Sequence, residues 1–168
     1  MPYAQRGLKY ALTTKAVLGK NLMKTIQKKG TLEAVTFCNK QAYPLTDSMS
    51  LVHNAIIKRV TDQPRNPSNK ANTEELNYIK SYKQIIANNE EPKPITKELD
   101  TKVKVYYPII TNNMCLQCHG KPNETIQPRT LKLIKQLYPN DKAIGYDINE
   151  VRGIWSVTFN KENKKRYE

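Results

Sequence analysis

The chain has 168 residues and a net charge of +13, from 28 lysines and arginines against 15 aspartates and glutamates. That length suits one domain with a core of its own, and no apolar run reaches the roughly 20 residues that a membrane-spanning helix needs. A charge of this size favours an acidic partner surface. The lysines are nonetheless scattered (Lys15, Lys20, Lys24, Lys28 and Lys29, then Lys132 and Lys135), and no nucleic-acid-binding motif accompanies them, which speaks against nucleic acid as the partner.

The first third reads as helical. Val17, Leu18, Leu22 and Ile26 recur at spacings of three and four with lysines between them, so one apolar stripe faces a core or a second subunit. Gly30 weakens or breaks that helix. A second helix is expected over residues 31–42, with Ala34 and Cys38 one turn apart on one face. Pro44 disfavours the helical conformation at Tyr43 and is expected to close it. Residues 55–61 are a short strand candidate, and residues 63–69, rich in proline and asparagine, form a loop. A third helix starts at Thr73 with Glu74 and Glu75 in its first turn, carried by Leu76, Ile79, Tyr82 and Ile86. The segment 90–94 ends it. Residues 102–110 alternate and then turn apolar, rich in valine, tyrosine and isoleucine, and read as a strand. A short helix follows Pro128 on Leu131, Ile134 and Leu137, and residues 153–159 form a final strand. Helices first, then strands with helices between them, favour an α+β domain over an all-helical one.

One segment names its own chemistry. Cys115-Leu116-Gln117-Cys118-His119 is the C-x-x-C-H pattern of covalent c-type haem attachment. Two thiols separated by two residues on one turn can each add to a vinyl group on the same porphyrin edge, and the next residue then lies under the iron. Cys115 and Cys118 would become thioethers and His119 the proximal ligand. Gly120 lets the backbone pass close to the ring. A zinc site would need further ligands, and only Cys38 and His53 remain among cysteines and histidines, without the usual paired spacing. Candidates for the second axial position are Cys38, His53, Met23 and Met49. Met114 is too close to the attachment turn to reach the far face. Arg59 is a candidate partner for a haem propionate, and Tyr106, Tyr107 and Trp155 could wall the pocket or serve as plain core.

The strand Val105-Tyr106-Tyr107-Pro108-Ile109 leading into the haem motif, the loop Arg65-Asn66-Pro67-Ser68-Asn69, and the ending Gly145-Tyr146-Asp147 with Arg152-Gly153-Ile154-Trp155-Ser156-Val157 resemble a known family. It is that of the monohaem PAS-like domains first recognised in cyanobacteria and long held to be of unknown function, and the likeness runs from about residue 30 to 159. It implies a PAS-like antiparallel sheet with N-terminal helices and one covalently attached haem c, with iron held by His119 and Cys38. It also points to Arg65, helped by Asn66, as the propionate partner. A thiolate ligand favours ferric iron and so a low potential.

The expected organisation is an N-terminal amphipathic helix (1–29), a PAS-like haem domain (30–160) and a basic tail (161–168). The N-terminal stripe could also serve a homodimer or hetero-complex. Because haem is attached covalently outside the cytoplasm, a periplasmic or other extracytoplasmic setting is expected, with a signal peptide removed. Three function classes follow: an electron carrier or redox-signalling protein working with a protein partner; a redox or small-gas sensor with a labile Cys38 ligand; and, last, a haem enzyme with an open iron position, for which the sequence shows no distal acid or base. No catalytic residue is assigned, and a non-enzymatic role is favoured.

Overall fold

The computed structural model describes residues 1–161. In chain order come helices α1 (Tyr3–Lys29) and α2 (Thr31–His53), strand β1 (Ile56–Val60), a 3-10 turn (Pro67–Asn69), helix α3 (Thr73–Ala87), strands β2 (Ile95–Glu98) and β3 (Lys102–Ile110), helices α4 (Asn113–His119) and α5 (Pro128–Leu137), and strand β4 (Val151–Asn160). The strands form one antiparallel sheet in the order β1-β4-β3-β2, so the α+β class expected from the element order holds. Of the basic tail only Lys161 falls within the described residues; its ammonium lies 3.5 Å from the Glu98 carboxylate.

β4 is buried almost throughout because both faces of the sheet are covered. Successive side chains alternate between faces, and each face has its own core. On one, Ile57, Val103, Val105, Trp155, Val157 and Phe159 pack with Ala11 of α1. On the other, Tyr106 and Ile154 pack with Ile79 and Tyr82 of α3. The buried Tyr82 hydroxyl has the carbonyls of Lys93 at 2.7 Å and Tyr106 at 2.9 Å as acceptors, which ties α3 to β3 and to the segment before β2. A third cluster of Val35, Ile126, Leu131 and Ile134 seats α5 under α2. A capping box, not read from the sequence, starts α3: Asn72 and Glu75 each accept the other's backbone N–H, at 2.8 and 2.9 Å.

Three departures from the sequence reading have physical causes. Gly30, at φ 87°, does separate α1 from α2, but α2 does not end near residue 42; it runs through Pro44 to His53. Pro44 removes one N–H from the ladder, and the affected turn sits at exposed residues 40 and 41, where water can satisfy the freed carbonyl. Ala42 and Thr46 stay buried on the continuing face, and the Thr46 hydroxyl donates to the Ala42 carbonyl at 2.8 Å. Packing of that face outweighs the local preference. β2 and α4, the other departures, are four and seven residues long, too short for a periodic signal to emerge.

α1 approaches the sheet closely at Gly7, where an added Cβ would stand 2.5 Å from the Val105 side chain. Replacing Gly7 with valine should therefore cost about 2 kcal/mol of stability, the scale of overpacking in a close-packed interior. Urea unfolding of the purified chain measures it, and an unchanged midpoint would contradict the close α1–β3 contact.

Candidate functional site

The C-x-x-C-H segment folds as α4, a short helix whose start is fixed by Asn112. The Asn112 side-chain oxygen accepts the Cys115 backbone N–H at 3.2 Å and has the Cys115 thiol at the same distance. Residues three and four apart share a helix face, so Cys115, Cys118 and His119 point to one side. The chain leaves α4 at Gly120, whose φ of −80° demands no glycine. The constraint there is space, since a Cβ would collide with the Thr125 hydroxyl and lie 2.6 Å from the Leu116 carbonyl. Gly120 is needed for the turn onto residues 121–125, where sequence reading had put the close approach at the porphyrin.

Residues 141–146 strap the end of α4 from below. The Gly145 and Tyr146 amides donate to the carbonyls of Gly120 and His119 at 2.8 and 3.0 Å. His119 Nδ1 lies 2.8 Å from the Ala143 carbonyl and so carries the proton. Burial, with the charges of Arg152 and Arg65 adding to it, pushes the His119 pKa well below its usual value. The ring is thus neutral, with its Nε2 lone pair free of any hydrogen bond from the described residues. A backbone carbonyl that fixes the tautomer in this way is the usual second-layer support of a metal-binding histidine.

Arg65 locks the same strap. Its guanidinium pairs with Asp141 at 3.0 and 3.1 Å and donates to the carbonyls of Cys118 and Ala143 at 2.6 and 3.0 Å, with both side chains of the pair nearly buried. Expected to meet a propionate, this guanidinium is already committed to Asp141 and to the backbone of the attachment segment. Asn66 likewise turns to the chain, accepting the Ser68 amide at 3.0 Å as the cap of the 3-10 turn. Asp141 and Ala143 escaped the sequence reading because a lone aspartate between Asn140 and Lys142 looks like any solvated loop residue.

α4 faces a cavity of about 540 Å³ bounded by α1, α2 and the sheet. Cys115, Cys118, His119, Cys38 and Arg59 all line it, together with Trp155. The apolar stripe of α1 supplies Leu18, Leu22 and Ile26 to its wall, and Phe37 and Ala42 of α2 flank Cys38. Cys38 has accessible surface yet protein on most sides, because that surface opens on the cavity. Burial raises its thiol pKa, against which Arg59 and Arg65 act. Burial pushes the Cys118 thiol up to about 11.

None of the rival axial ligands His53, Met49 and Met23 lines the cavity; Met114, set aside in the sequence because it adjoins the C-x-x-C-H turn, does. His53 stacks on Tyr10, with ring centroids 4.1 Å apart, Met49 packs against the core cluster that includes Ile57, and Met23 is exposed. Tyr106 is on the opposite face of the sheet, stacked on Tyr78. Tyr107 is half-buried outside the lining; as the register partner of Trp155 it shares that residue's face. Arg152, not singled out in the sequence as a site residue, also lines the cavity. A second hollow of about 530 Å³ lies between the end of α2 and β1 and meets the first at Arg59.

Fold and site together define an α+β protein that turns a C-x-x-C-H helix toward one internal cavity. The chain belongs to the Tll0287-like family, whose model, described as Tll0287, matches residues 5–160; this is the cyanobacterial-type family that the sequence resembles. Among solved structures it is similar to the crystal structure of the cyanobacterial heme-protein Tll0287, with a TM-score of 0.63 and 20% identity over 92% of this chain and 95% of that one. No curated protein matches the chain.

Removing the guanidinium of Arg65 leaves Asp141 buried without its ion-pair partner, takes the side-chain donor from the Cys118 carbonyl and leaves the Ala143 carbonyl with His119 alone. The Arg65→Ala variant should lose about 3 kcal/mol in urea unfolding, and Arg65→Lys should recover less than half of it, since an ammonium cannot reproduce the planar fork. An Arg65→Ala midpoint equal to that of the parent would contradict the strap.

Proposed function

We propose that the chain is an extracytoplasmic monohaem c-type protein with low-potential His119/Cys38 ligation, exchanging electrons or a redox signal with a protein partner. The observation that carries this reading is the convergence of Cys115, Cys118, His119 and Cys38 on one cavity. The residues fit the group. A volume of about 540 Å³ falls within the roughly 300–1,000 Å³ of small-molecule pockets, Leu18, Leu22, Ile26, Phe37 and Trp155 give the walls apolar surface, and imidazole and thiolate are both iron ligands.

Each residue has a task. Cys115 and Cys118 hold the ligand by thioethers from one helix face. His119 presents Nε2 while the Ala143 carbonyl keeps its Nδ1 proton in place. Cys38 approaches from α2. Leu18, Leu22, Ile26 and Phe37 exclude water, which strengthens every charge interaction inside. A haem bound here supplies one-electron oxidation and reduction. The extracytoplasmic setting follows from where thioethers are made; no helix among the described residues is long and apolar enough to cross a membrane.

A second reading, a redox or small-gas sensor, is favoured by the place of Cys38 on α2, outside the hydrogen-bonded strap that fixes His119. A sulfur held by no such strap is more easily released when reduced iron weakens its hold, and a partner reads the change.

Ferric and ferrous absorption spectra, with and without carbon monoxide, test both. Replacing Cys38 with alanine should change the ferric spectrum and raise the midpoint potential, and an unchanged spectrum would remove the thiolate. Retention of both ligands on reduction favours the carrier, whereas rapid carbon monoxide binding by the ferrous protein favours the sensor.

A further inference from the structure

The charges lining the haem cavity are all of one sign. Lys15, Lys20, Arg59 and Arg152 contribute to its wall, and no aspartate or glutamate does. Other cations nearby are already satisfied. Arg65 is neutralised by Asp141, and Arg152 donates to the Thr61 hydroxyl at 2.8 Å and the Gln63 carbonyl at 3.1 Å and lies over the Tyr146 ring. Arg59 differs: the structure gives its guanidinium no hydrogen bond or ion pair with any described residue, although the residue is partly buried, and the acidic groups near it are the Cys38 thiol and the phenols of Tyr43 and Tyr138, not a carboxylate. A guanidinium that faces a cavity with no carboxylate partner suits an anion that arrives with the ligand.

Sheet register fixes where that anion lies. α4, with the two cysteines, starts at Asn113, just beyond the end of β3 at Ile110. Arg59 pairs with Trp155, and Trp155 with Tyr107, three residues back along β3 from Ile110 and so about 10 Å at roughly 3.3 Å per residue. Arg59 is therefore set back from the cysteine end, whereas Arg152, beside Gly153 and hence near Ile109, stays close to it.

We propose that Arg59 is the counter-ion for a carboxylate at the end of the cavity remote from Cys115 and Cys118. Resting on the haem reading above, this makes the carboxylate a propionate, because a porphyrin joined to the protein by its vinyl edge directs its propionates the opposite way. A guanidinium fork suits that carboxylate. The assignment moves the propionate partner from Arg65, which holds the backbone, to Arg59.

The test compares parent, Arg59→Gln and Arg59→Lys holoproteins, with Lys83→Gln, at an exposed ion pair to Asp62, as control. Pyridine haemochrome first establishes haem c in each. Resonance Raman then reads the propionate bending modes, which should shift in Arg59→Gln, return at least part-way in Arg59→Lys and stay put in the control, with the midpoint potential falling in Arg59→Gln as a positive charge is lost. Unmoved modes overturn the proposal, including the case in which only the thiolate signature changes and Arg59 acts on Cys38 alone. A parent chain without haem c overturns the haem reading instead, and the carboxylate site is then read by thermal unfolding with succinate: stabilisation that Arg59→Gln abolishes sustains it, and none overturns it.

Discussion

The site depends on one carbonyl. Ala143 accepts from His119 Nδ1 and from the Arg65 guanidinium, at 2.8 and 3.0 Å, while Arg65 is held by Asp141 and Asp141 in turn accepts the Ala143 amide at 2.9 Å. The loop closes on itself: the residue that sets the tautomer of the histidine is fixed by the same guanidinium that grips the Cys118 carbonyl. Such a closed set of charge-assisted hydrogen bonds is geometrically demanding and rigid. It turns a helix of seven residues, unstable by itself, into a fixed platform for three side chains that must act together.

Around that platform the helices do the work of a wall. α1 meets the sheet through small residues, Gly7, Ala11 and Thr14, and then carries Leu18, Leu22 and Ile26 past the sheet to close the cavity. Small residues allow the close approach at one end, and large ones fill the wider gap at the other. The Thr31 hydroxyl donates to the Gln117 side chain at 2.8 Å, so the start of α2 is tied to α4 and Cys38 is carried into the cavity two turns later. The lysines of α1 are exposed, and two of them, Lys15 and Lys20, stand at the cavity's wall.

Much of this was legible in the sequence, for reasons that can be named. β3 and α5 showed themselves through strong periodic patterns, and the residues predicted for them, 102–110 and the turn after Pro128, match the observed bounds. The C-x-x-C-H segment was legible because its signature is spacing alone. Pro44 misled because the cost of a proline depends on whether its turn faces water, a tertiary fact. Arg65 was legible as a residue of the site, but its hold on the strap was not, since a loop arginine gives no sign of a pairing with an aspartate 76 residues further on. Arg59 was a candidate in the sequence, but its place relative to the C-x-x-C-H helix follows only from the sheet register that sets it beside Trp155.

Covalent attachment of one haem through Cys115 and Cys118 is the central claim, and the intact mass of the purified, denatured chain tests it most directly. Maturation in a cell that makes c-type cytochromes should yield a mass increased by one haem that persists in acid and organic solvent, and a Cys115→Ala/Cys118→Ala chain should lack the increment. A bare polypeptide mass for the native sequence under those conditions would contradict it.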